Sequence, residues 1–159
     1  MTIREKLQLM KKMEADNTAR IKEINMDKTL FGVKVDTKNG KMYQFACPNT
    51  LDGLRKVLGC EWIEAATRQI GDKPFCVICD EEGRFKANNA VSGVIPRGMT
   101  YQVEFVGDIF IVSADVEGDG DMVGLTSDDV AYVLEHGSAK VVINDEIHEV
   151  LVCDYLTCD

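Results

Sequence analysis

Phe75-Cys76-Val77-Ile78-Cys79 is the stretch on which the fold turns. Five apolar residues run without a polar interruption, where a strand with one wet face would alternate. Bounded by turn residues, such a run reads as a central strand buried on both faces. Gly71-Asp72-Lys73-Pro74 precedes it and Asp80-Glu81-Glu82-Gly83 follows, and both have turn composition.

The neighbouring segments read outward from that strand. Upstream, Glu61 to Gln69 alternates, with Trp62, Glu64 and Ala66 on one face and Ile63, Ala65 and Thr67 on the other. Before it, Thr50 can cap a short helix from Leu51 to Leu58, which Gly59 closes. Leu30 to Val35 and Lys41 to Phe45 flank an Asn39-Gly40 turn signal and read as a hairpin. Downstream, residues 84–98 read as irregular. Tyr101 to Val106 and Ile109 to Val112 read as strands separated by Gly107-Asp108, a bulge or a tight turn. Asp128 to Glu135 reads as a helix, with Thr126 and Asp129 imitating a capping box. Lys140 to Ile143 and Ile147 to Val152 form a last hairpin across Asn144-Asp145.

At the other end, Ile3, Leu7, Met10, Ile21 and Ile24 are spaced by alternating fours and threes, with Glu14 and Asn17 in the intervening slots. Two readings stand. One is a pair of short helices broken near Asp16-Asn17. The other is one longer helix whose seam makes a homodimer through residues 3–25. The expected class is α+β: a mostly antiparallel sheet with two short helices, plus an N-terminal helix and a C-terminal β-hairpin. The expected division is a helical extension (1–29), an α+β core domain (30–137) and a hairpin packed on the core (138–159).

Charge narrows the function classes. The 159 residues carry a formal charge of −9. Sequence-independent binding to nucleic acid needs Lys and Arg to neutralise phosphates, and this chain has no surplus of them. The same charge suits a partner protein with a basic surface, including one whose nucleic-acid site an acidic face could mimic. No apolar run reaches the roughly 18 residues a membrane helix needs, and Met1 to Lys6 lacks the apolar core of a signal peptide. The expected location is the cytoplasm of a bacterial host cell. In a reducing compartment the six cysteines read as free, mostly buried thiols.

Motifs that could carry chemistry each fail at a definite point. Cys76 and Cys79 have the C-x-x-C spacing, but residues three apart on a strand point to opposite faces, so the thiols diverge. Asp115, Glu117 and Asp119 stand at positions one, three and five of a calcium-loop pattern, with Gly120 at six and Asp121 beyond. Position twelve is Thr126 in place of the bidentate Glu. His136 and His148 are isolated. The expectation is a protein that is not an enzyme and uses no metal and no cofactor. The candidate ligand- or partner-binding residues are Arg84, Asn88, Asn89 and Ser92 in the irregular stretch, and Asp115, Glu117, Asp119 and Asp121 in the acidic loop. Loops on a rigid scaffold often carry binding groups, and Asn offers both donors and acceptors.

From about residue 43 to 136 the chain resembles the domain of unknown function 3846 family. The resemblance rests on Leu51-Asp52-Gly53-Leu54-Arg55-Lys56-Val57-Leu58-Gly59 and on Trp62-Ile63-Glu64. It continues in the strand and turn from Val77 to Lys86, in Asn88-Asn89-Ala90, in Gly107 to Val112, and in Leu125 to Val130. Asp80 stands where the family turn has Asn, and Asn89 where its patch has Arg. The family has no agreed biochemical function and is widespread in bacteriophage and mobile-element genomes. The resemblance therefore implies an accessory protein that binds a host protein, of anti-defence, anti-restriction or anti-CRISPR type. The alternatives are a small-molecule or nucleotide sponge, and a structural or oligomerising role.

Overall fold

The computed structural model describes residues 2–3, 29–86, 90–117 and 121–156. Residues 4–28 lie outside this set, and with them almost all of the expected N-terminal helix and its dimer seam.

The chain opens with the expected hairpin, β1 (Thr29–Asp36) and β2 (Lys41–Pro48), paired in continuous antiparallel register. Helix α1 (Leu51–Leu58) follows. The Thr50 side chain accepts a hydrogen bond from the Gly53 amide, and Gly59 ends the helix in the left-handed region at φ 62°. A side chain at Gly53 would collide with the Pro48 carbonyl oxygen, so glycine is needed for this close approach. Strands β3 (Ile63–Ile70) and β4 (Lys73–Asp80) are joined by the two-residue turn Gly71-Asp72.

Five strands form the first sheet in the order β2-β1-β7-β4-β3, where β7 is Ile109–Ser113. The apolar run in β4 has neighbours on both edges and cover on both faces. Phe75, Val77 and Cys79 enter one core, and Ile78 enters the other with Cys76 packed against it. Helix α1 covers the second face through Leu54, Val57 and Leu58. The first face packs on a second sheet.

That second sheet corrects the expected fold class. The molecule is predominantly β, with a five-stranded and a four-stranded sheet, a two-stranded ribbon and two helices among the described residues, rather than α+β built on one sheet. Its order is β10-β11-β5-β6, from β5 (Val91–Arg97), β6 (Thr100–Val106), β10 (Ser138–Ile143) and β11 (Glu146–Val152). The stretch read as irregular contains β5. Its strand character was masked because Ser92-Gly93 sits at a break in register with β6, and Pro96 lies beyond the short β11 pairing. The β11–β5 pairing is parallel. Gly107-Asp108 is neither a bulge in one strand nor a hairpin turn. It carries the chain from the edge of the second sheet to the middle of the first. Asp108 holds the crossing by accepting bonds from the Thr37 amide (2.9 Å) and hydroxyl (2.7 Å), with Lys34 at 3.6 Å.

Short strands β8 (Val116–Glu117) and β9 (Asp121–Met122) pair with each other. Helix α2 (Ser127–His136) then packs Val130 and Val133 into the inter-sheet core. Thr126 caps it by accepting from the Asp129 amide at 3.1 Å. The C-terminal hairpin supplies half of the second sheet and turns through Asn144 (φ 50°) and Asp145 (φ 66°). No helix among the described residues is long and apolar enough to cross a membrane.

Candidate binding cleft

The two sheets meet face to face, but β3 and β6 are each the last strand of their sheet. Their free edges border a cleft of about 220 Å³. Strand periodicity aims Glu64, Ala66 and Arg68 of β3 into it, and Cys79 joins them from β4. Asp80 ends β4 at its rim, the turn after β4 contributes Glu81, Arg84 and Phe85, and β6 contributes Glu104 and Phe105.

One polar network spans the gap. Arg68 donates to Glu104 Oε1 from Nη2 at 2.7 Å and from Nε at 3.2 Å, and Tyr155 donates its hydroxyl to Glu104 Oε2 at 3.1 Å. Glu104 is buried, and both of its carboxylate oxygens are satisfied. The Arg68 guanidinium carbon also lies 4.9 Å from the Tyr155 ring centre and 5.6 Å from that of Phe105. Arg84 turns to the main chain, donating to the carbonyls of Glu104 (2.6 Å) and Val103 (3.4 Å). Lys86 pairs with Asp80. Arg68 and Lys86 are thus each paired with a carboxylate, whereas Glu64, Glu81 and Arg84 are exposed, two acids against one cation.

The thiol that lines the cleft, that of Cys79, is not activated: burial, reinforced by the charge of Glu64, pushes it up to about 12. Cys153, behind the network, is likewise raised to about 12 by burial and by Glu104. Both stay protonated at neutral pH, and the thiol is the poor nucleophile. Cys76 faces the opposite core, so the C-x-x-C pair diverges across the sheet.

Of the residues singled out from sequence, Arg84 is in the cleft. Ser92 is fully buried in β5 with its hydroxyl unpartnered among the described residues, and it does not line the cleft. Asp115 borders a separate shallow depression with Lys73, Ser113 and Asp129. Asp121 is exposed on β9, opposite Glu117 on β8. Among the described residues no three His, Cys, Asp or Glu side chains converge as a metal site. Asn88, Asn89 and Asp119 lie outside the described residues. Sequence reading missed Glu64, Arg68, Glu104 and Tyr155. Their signal was faint: Glu64 and Arg68 share one face of an alternating strand, and Glu104 interrupts an otherwise apolar end of β6.

No curated protein and no solved structure matches the chain. A family model described as a domain of unknown function, DUF3846, matches residues 13–138. This span reaches further toward the N-terminus than the resemblance read from the motifs, and it includes both strands that border the cleft and the turn between β4 and β5. The chain belongs to the DUF3846 family.

Proposed function

We propose that this protein acts by binding another protein, and that the cleft between β3 and β6 receives a basic element of that partner. The carrying observation is the state of its charges. Arg68 is neutralised by Glu104 and Lys86 by Asp80, so the exposed charges left at the mouth are Glu64 and Glu81 against Arg84, which is bonded to neutral backbone carbonyls, and the balance is acidic. Phe85, 87% exposed, offers an apolar lip beside them. Complementary charge of this kind steers encounter and fixes register more than it adds raw affinity. In the phage or mobile-element setting implied by the family, the partner is a host protein, and binding would serve anti-defence.

The sponge reading is weaker on volume. Small-molecule sites commonly enclose roughly 300–1,000 Å³, and about 220 Å³ suits one side chain better than a nucleotide. The test is capture from host lysate by the full chain at low and moderate salt, beside the double variant Glu64→Lys, Glu81→Lys. A basic protein held by the wild type and lost from the variant is the expected result. Equal retention by both, or no specific retention, refutes the reading.

A further inference from the structure

We propose that the free edge of β3 takes up an extended, basic segment of the partner as an added antiparallel strand. This deepens the binding reading above and rests on it. Across the two-residue turn, Ile70 and Lys73 are directly paired. Ladder bonds alternate, so Ile70, Arg68, Ala66 and Glu64 bond to β4, while Gln69, Thr67, Ala65 and Ile63 aim their backbone groups away from it.

The chain's own tail demonstrates how that edge is used. Asp154 and Gln69 exchange both backbone bonds, at 2.8 and 2.9 Å, in an antiparallel bridge. The tail is held there from the other side by the Cys153 amide, which donates to the Val94 carbonyl at 3.1 Å. After Asp154 the tail leaves the edge: in that register Leu156 would oppose Thr67, and no such bridge forms. Thr67 and Ala65 are exposed. Among the described residues nothing pairs with the Ala65 amide, the Ala65 carbonyl or the Thr67 amide. The Thr67 carbonyl takes a bond from Arg68.

Two other edges are blunted. Arg84 covers the β6 carbonyls. On the far side of the first sheet, β2 begins with Lys41 and ends with Pro48, both of which discourage pairing. A sheet edge with unpaired backbone groups, such as those of Ala65, is a template for strand addition. A Lys or Arg of an added strand placed opposite Glu64 makes a favourable cross-strand pair at the mouth of the cleft. A second copy of this chain also has a strand to offer, but it brings a charge of −9 to the same acidic edge.

The test uses the full chain and a labelled hexapeptide of alternating lysine and threonine, read by fluorescence anisotropy and by amide hydrogen exchange. In the free protein the Ala65 and Thr67 amides exchange fast, while those of Glu64, Ala66 and Arg68 are protected. Bound peptide slows the first pair. Methylating the peptide amides on alternate residues, or making Ala65→Pro, weakens binding at least about tenfold, the worth of one or two backbone bonds. Proline there removes no bond to β4, and a thermal melt checks that the variant folds. The methylated peptide tests the same bond on the unaltered protein.

If Glu64→Lys abolishes binding while methylation and Ala65→Pro do not, strand addition falls and the charge reading stands. If none of the three changes matters, or the wild type binds no peptide, both fall. Protection of Ala65 and Thr67 that appears only at high protein concentration assigns the edge to a second copy and overturns the proposed occupant.

Discussion

At the scale of single residues, burial and charge decide roles that composition leaves open. Arg68 and Glu104 are 36 positions apart and form a largely buried pair at 2.7 Å. Breaking such a pair strands a charge that water no longer solvates. Arg68→Ala should therefore cost about 3 kcal/mol, with Arg68→Met plus Glu104→Met recovering most of the loss; urea denaturation measures both. Asp36 sits under opposing influences. Burial pushes its carboxyl up, but the side-chain amide of Asn39 (2.7 Å), the Tyr43 hydroxyl (2.9 Å), the Asn39 backbone amide and the charge of Lys34 outweigh it, so the net shift is downward. A carboxyl depressed in the folded state adds stability above its unfolded value and loses it as pH falls through the folded one. Asp36→Asn should therefore be less stable than wild type at pH 7, and the gap should close below about pH 4 in melting curves taken across that range. The side chains at this site were visible in the sequence only as members of strand faces. Their pairing depends on which edges the tertiary fold brings together.

At the scale of elements, local chemistry was the most legible. Thr50, Gly59 and the apolar spacing between them define α1, and the helix occupies Leu51–Leu58. Thr50→Ala should lower stability by about 1 kcal/mol through loss of the bond to the Gly53 amide, seen as a lower urea midpoint with unchanged slope. The β10–β11 turn places Asn144 and Asp145 both at positive φ, the arrangement in which Asn-Gly is preferred. Asp145→Gly should raise the melting temperature slightly, and a lower one would show that Asp145 makes a compensating contact. Strand β5 was illegible for a physical reason. Its two breaks in register with β6, around Ser92-Gly93 and before Val94, destroy the period of two that marks a strand. The polar residue Ser92 that accompanies the breaks looks like loop composition until its burial is known.

At the scale of the whole molecule, the C-terminal hairpin is structural. Val150 and Leu151 are fully buried, Leu151 and Cys153 belong to the inter-sheet core, and β11 is the strand that joins β10 to β5. Truncation after residue 137 should leave β5 without its parallel neighbour and open that core, giving a chain that binds a hydrophobic dye and lacks a cooperative melt. A cooperative melt in the truncated chain would show instead that the hairpin is an appendage. What the sequence alone determined are the properties that depend on neighbours along the chain. These are the fully buried strand at Phe75 to Cys79, the caps and turns, the divergence of Cys76 and Cys79, the acidic character and the family motifs. What only the tertiary structure decided are the properties that depend on distant partners. Strands do not encode which sheet they join, so the division into two sheets, the transfer at Gly107-Asp108 and the β-rich class emerged only with the packing. The same holds for the cleft. Among the described residues the two sheets end at the strands that border it, and the charges lining them were dispersed from residue 64 to residue 104 until the fold gathered them.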